Sequence, residues 1–118
     1  MRRPTASLTL NTKGLIDGLT QNESRFCQVA VQVFGLDDGE PDGDYRIPSA
    51  STGAELSFND AALCLQFIRT PVSLQRELLE LAQQFMDHNG VTECYLEDLG
   101  VHFQALGNGS CNIYRHQP

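Results

Sequence analysis

The stretch Thr20-Gln-Asn-Glu-Ser-Arg-Phe-Cys-Gln-Val-Ala-Val-Gln-Val-Phe-Gly-Leu36 decides the fold, because it can be read with two different periods. Cys27, Val29, Val31 and Val33 alternate, and valine favours strands. The helical reading has more independent support. Gln21, Arg25, Gln28 and Gln32 form a polar stripe at helical spacing, opposite Phe26, Val29, Ala30 and Val33. Thr20 and Glu23 stand at capping-box spacing, which satisfies orphan amides at a helix start, and Gly35 is placed for a left-handed cap. The segment is therefore read as a helix over residues 20–34.

Upstream, Ala6, Leu8 and Leu10 alternate with Ser7 and Thr9, the pattern of a short strand with one wet face; Gly14 and Gly18 then break an irregular stretch. Downstream, residues 37–44 are exposed turn chemistry, Asp-Asp-Gly-Glu-Pro-Asp-Gly-Asp, followed by a short strand at 45–48. Residues 55–69 read as two strands joined near Asn59-Asp60. That register puts Leu56, Phe58, Ala61, Leu63, Leu65 and Phe67 on one face, with Glu55, Ser57, Cys64 and Gln66 on the other.

Residues 71–88 carry Leu74, Leu78, Leu81 and Phe85 at spacings of 4, 3 and 4, one apolar stripe of a helix. Thr70 or Ser73 can cap its start, and Asn89-Gly90 ends it. Strands follow at 92–96, 101–106 and 111–116. A three-residue Gly107-Asn108-Gly109 turn places Val101, Phe103, Ala105, Cys111 and Ile113 on one face, whereas a two-residue turn would split them.

With 118 residues, 41% of them apolar and 19% charged, the chain has the size and composition of one folded domain. Fifteen acids against eight bases give a formal charge of −7, and the bases are scattered, which argues against nucleic acid as a partner. The four cysteines, Cys27, Cys64, Cys94 and Cys111, have no zinc-ribbon spacing and sit in apolar stretches, as buried free thiols do. No apolar run approaches the ~18 residues of a membrane span, and the first ten residues lack the apolar core of a signal peptide. The expectation is an α+β protein of the cytoplasm.

The order strand, helix, strands, repeated once, resembles the vicinal oxygen chelate superfamily of glyoxalases, bleomycin-resistance proteins and extradiol dioxygenases. Leu8-Thr-Leu-Asn-Thr-Lys-Gly-Leu15 looks like that family's first strand and its exit, and Val33-Phe-Gly-Leu36 is similar to the end of its first helix. Gly53-Ala-Glu-Leu-Ser-Phe58, Leu63-Cys-Leu-Gln-Phe67 and Asn108-Gly-Ser-Cys-Asn-Ile-Tyr114 resemble later strands. The segment from Gly14 to Phe26 is longer than the family's, and Asn59-Asp60 is a short link between modules.

The resemblance implies two βαβββ units, over residues 5–58 and 61–116, forming a mostly antiparallel curved sheet with two main helices. The family's metal positions fall on Ser7, Glu55, Ala62 and Asn112, of which only Glu55 suits a metal. The resemblance therefore implies a metal-free and cofactor-free binding member, drug-sequestering in some relatives and commonly a homodimer. Ser7, Glu55, Gln66, Asn112 and Tyr114 would line an acidic groove for a small cationic or polar aromatic ligand.

Two other readings stay open. Asp38, Glu40, Asp42 and Asp44 could make an acidic protein-binding module of the inhibitor or immunity type. Glu55 could serve a lyase or isomerase as general base, with surface pairing to Arg69 the plainer account. No serine or cysteine nucleophile has a recognisable His and acid partner, and Ser49 stands where a calcium loop needs glutamate. His88 suits a helix end. His102 and His116 can share the wet face of the last hairpin with Tyr114 nearby, and Tyr45, Tyr95 and Tyr114 are the amphipathic candidates for a ligand wall.

Overall fold

The computed structural model describes residues 7–10, 21–35, 39–50 and 52–117, with the side chains of Ser7, Leu8 and Leu10 left aside. The elements are β1 Ser7–Leu10, α1 Gln21–Phe34, β2 Tyr45–Pro48, β3 Glu55–Phe58, α2 Ala61–Arg69, α3 Val72–Asn89, β4 Glu93–Leu96, β5 Val101–Gly107 and β6 Ser110–Arg115. The class is α+β. Among the described residues the strands form one sheet in the order β1-β4-β5-β6-β3-β2. β1 runs parallel to β4 and β3 parallel to β6; the other pairings are antiparallel.

The segment at 21–34 is a helix, and its stripe is the one its sequence draws. Phe26, Cys27, Val29, Ala30, Val33 and Phe34 are buried, while Gln21, Arg25, Gln28 and Gln32 face solvent. Val31, in phase with its valine neighbours only in a strand, is 43% exposed. Thr20 and the expected capping box lie outside the described residues. Gly35 closes the helix by donating to Val31 O at 2.8 Å, but a left-handed conformation is not among its features.

Residues 61–69 correct the strand reading: they form α2, not a second strand. Asp60 is the reason. Its carboxylate accepts from Ala62 N at 2.7 Å, and the Asp42 side chain accepts from Ala61 N at 3.0 Å, so two orphan amides are satisfied where a strand would have begun. Leu63, Cys64 and Phe67 are buried at helical spacing, whereas Leu65 and Ile68 are 48% and 50% exposed. The element order is therefore β-α-β-β followed by α-α-β-β-β, and the second expected unit opens on helices instead of a strand.

α3 ends at Gly90, left-handed at φ 66°, as its Asn89-Gly90 signal requires. Its start differs from expectation: Pro71 takes the cap position without a side-chain bond. Gln75 seals the α2–α3 corner instead, donating to Phe67 O and Thr70 O at 3.0 and 2.9 Å.

The last hairpin keeps the expected face by a different device. Ala105 pairs with Cys111 and Gly107 with Ser110, so the turn is the two residues Asn108-Gly109 and a bulge at Leu106 supplies the extra residue. Both turn residues have positive φ, 54° and 79°, as a tight hairpin requires.

The three helices bury one face of this sheet. All six phenylalanines are in that core, with Phe26 edge-on to Phe103 at 5.5 Å and Phe58 against Phe67 at 5.5 Å. Burying each of these side chains contributes about 1.5–3 kcal/mol. The other residues of β3 to β6, at alternate positions, lie on the opposite face.

Candidate functional site

Strand alternation sends Cys94, Leu96, Val101, Phe103 and Ile113 into the core, so Glu93, Tyr95, His102, Gln104, Asn112 and Tyr114 stand on the face away from the described helices. Register then decides who meets whom. Tyr95 pairs with His102 and His102 with Tyr114, which lines up three rings across three neighbouring strands. Strands lie about 4.8 Å apart, close to the spacing at which flat rings stack. His102 is held between Tyr95, at 4.2 Å and 16° between planes, and Tyr114, at 4.4 Å and 1°.

A polar chain runs through this stack. His102 Nδ1 lies 3.2 Å from Glu93 Oε2, with 12% and 13% of the two side chains exposed. His102 Nε2 lies 2.9 Å from His116 Nδ1. The centroids of the two imidazoles are 5.2 Å apart, so the rings meet end to end, nitrogen facing nitrogen. His116 sits just beyond β6, fixed by its own amide, which donates to Gly100 O at 2.7 Å, and its side chain is exposed. The Glu93 carboxylate also acts on the Tyr114 phenol.

These contacts shift the titrations in readable directions. Burial pushes the Tyr114 phenol up to about 12, and the nearby Glu93 carboxylate adds to the rise. Burial holds His102 below the ordinary imidazole value; Glu93 opposes that shift and His116 reinforces it. The thiols of Cys94 and Cys111 are pushed up to about 12 by burial, so they are protonated and poor nucleophiles at neutral pH. The described cysteines are all free.

A second polar row lies one step along the same face. Ser57 Oγ donates to Asn112 Oδ1 at 3.0 Å, and Asn112 Nδ2 donates to Gln104 Oε1 at 3.3 Å. At the end of the sheet, Asn59, His102, Tyr114, Arg115, His116 and Gln117 border an open depression of about 430 Å³. That volume is in the range of small-molecule sites.

Of the residues expected to line a groove, Asn112 and Tyr114 stand on this face two positions apart on β6. Ser7 is opposite Glu93 in backbone register on the far edge strand. Glu55 is on β3, exposed, with Arg46 Nη1 at 3.2 Å instead of Arg69, beside a shallow depression of about 250 Å³. Gln66 belongs to α2 and so to the helical layer; its expected place on a strand face fails because residues 61–69 are helical. Ala62 is on the same helix, and β4, β5 and β6 separate Ser7 from Glu55, so the four family metal positions do not converge. Among the described residues no group of three or more His, Cys, Asp or Glu side chains is gathered for a metal ion.

The acidic loop is partly committed to the fold. Asp42 caps α2, and Asp44 pairs with Arg46 at 3.0 Å. Asp37 and Asp38 lie outside the described residues. No described helix is long and apolar enough to cross a membrane.

Glu93 and Gln104 are the members of the face that sequence reasoning missed. Their signal was available: a four-residue turn over 97–100 pairs Leu96 with Val101 and sets Glu93 and Tyr95 in phase with His102 and Gln104. Fold and site together define an α+β protein with helices on one side of the sheet and a polar, ring-stacked face on the other. Compared with family models, curated proteins and solved structures, the chain matches none.

Proposed function

We propose that this chain is a small-molecule-binding protein, and that its ligand is a planar, polar aromatic molecule laid against the sheet face away from the described helices, beside Tyr114 and His116. The observation that carries this reading is the Tyr95–His102–Tyr114 stack, three rings locked in one orientation by strand register. Rings already held in place lose little freedom when another ring joins them, so the ordering cost of binding is small. The depression of about 430 Å³ at the end of the stack offers room for such a guest, bounded by the polar groups of Asn59 and Gln117. All these residues come from one chain, so the reading does not depend on a dimer.

The acidic character of the chain contributes less than its charge of −7 implies. The carboxylate nearest the stack, Glu93, already receives His102. Recognition on this reading rests on ring stacking and directed hydrogen bonds more than on a cationic charge.

The test is a thermal-shift and NMR screen with planar heteroaromatic compounds, with tyrosine emission as a third readout since the chain has no tryptophan. Binding should perturb Tyr114 and His116 and should be lost in Tyr114→Ala. A hit whose shifts map to the helical side, or silence across the screen, would refute the proposal.

A further inference from the structure

The hydrogen bonds of the stack have a direction, and the direction selects a ligand. A carboxylate only accepts hydrogen bonds. Glu93 therefore requires its partner on His102, Nδ1, to carry the proton. A neutral imidazole has one donor and one acceptor nitrogen, so His102 Nε2 is left as an acceptor. The nitrogen facing it at 2.9 Å, His116 Nδ1, must then be the donor. The remaining nitrogen of His116, Nε2, carries a lone pair on an exposed side chain at the border of the depression.

From this polarity we infer that the site recognises hydrogen-bond donors: a planar heteroaromatic molecule whose ring N–H points at His116 Nε2, while isosteres that can only accept are rejected. This inference rests on the binding function proposed above and narrows its ligand class. The chemistry is one of complementarity. A ligand acceptor placed opposite His116 Nε2 would set lone pair against lone pair and leave both desolvated without a bond, which is the costly case in recognition.

Two measurements on the intact chain decide it. The first is the tautomeric state of both rings at pH 7.5, read from long-range proton–nitrogen-15 correlations. His102 and His116 should each show a protonated Nδ1 and a bare Nε2. A His116 protonated at Nε2 overturns the inference whether or not anything binds. The second is a matched pair of probes, indole and 1-methylindole, which differ at the single N–H. Indole should bind about tenfold more tightly, the worth of one hydrogen bond, and should shift the His116 Nε2 resonance. Equal affinities would overturn the donor rule while leaving the binding function standing. If the tautomers are as stated and neither probe binds, the N–H donor class is overturned, and the binding function itself is decided by the wider heteroaromatic screen.

Discussion

Arg115 Nε donates to Asp60 Oδ2 at 2.8 Å, and only 9% and 2% of the two side chains are exposed. The pair ties the end of β6, which carries Tyr114 and His116, to the corner that starts α2. Asp60 also caps that helix through Ala62 N, and Asn59 holds Arg115 by its backbone on both sides, at 2.6 and 3.1 Å. Gly39 packs so closely on the Asp60 carboxylate that a Cβ there would collide with it. Charges this deeply buried are costly to separate. Asp60→Ala should destabilise the fold by about 3–5 kcal/mol, since it strands the guanidinium. Asp60→Ala combined with Arg115→Met should recover much of that loss, because the second change removes the stranded charge. Urea titrations of the single and double variants decide the matter; a double variant no more stable than the single would reject the buried-charge explanation.

The strand reading and the observed helix make opposite claims about two residues of α2. Alternation puts Leu65 and Phe67 on the same buried face. The helix buries Phe67 completely and leaves Leu65 48% exposed. Phe67→Ala should cost about 3–5 kcal/mol, because Phe34 and Phe58 both rest on that ring. Leu65→Gln should change stability by less than about 0.5 kcal/mol. Comparable losses at the two positions in denaturant unfolding would contradict the helix.

That contrast also marks how far the sequence could be read. Residues 21–34 were legible because polar and apolar stripes there are both continuous, so the alternating valines lost to a stronger period. In 61–69 the helix's outward face carries Leu65 and Ile68, and apolar residues on both faces erase the difference between the two periods. What decides there is the pair of caps, and one of them, Asp42, comes from 19 residues upstream. A long-range cap leaves no local trace. The polar face was half legible for a related reason. Parity within a strand gave Asn112, Tyr114 and the two histidines a shared side, but the meeting of Glu93 with His102 depends on pairing between strands.

The Cys94 thiol is pushed from its ordinary 9.0 up to about 12, chiefly by burial. The sign of the linkage follows directly. The folded chain holds this proton where the unfolded chain has released it, so the contribution is whole below pH 9 and is lost as pH rises from 9 towards 12. Three pH units correspond to roughly 4 kcal/mol across the window. Unfolding free energies at pH 8 and pH 11 should therefore fall less in Cys94→Ala than in the parent chain, on top of the constant cost of the small cavity. Parallel falls would show that Cys94 does not carry the alkaline lability. In the native state at pH 8 the thiol should resist disulfide reagents and should react once urea unfolds the chain.

His102 makes the complementary prediction on the acid side. Burial lowers its pKa below the ordinary 6.5, Glu93 works against that shift, and His116 adds to it. Among the described residues, the rings of Tyr95 and Tyr114 lie on its flanks. The unfolded chain thus takes up a proton at this residue before the folded chain does. Its contribution is present above pH 6.5 and is lost as pH falls below that value through the folded pKa. A protonated His102 would also turn a donor towards the His116 donor at 2.9 Å, so the end-to-end contact should open in the same range. Stability measured from pH 7.5 to pH 5.0 should decline more steeply in the parent chain than in His102→Gln, and the nitrogen-15 signal of the shared bond should disappear over the same interval. Equal slopes, or a shared bond that survives protonation of His102, would mean that the ring is not held neutral by its surroundings, and the directional chain from His116 to Glu93 would lose its foundation.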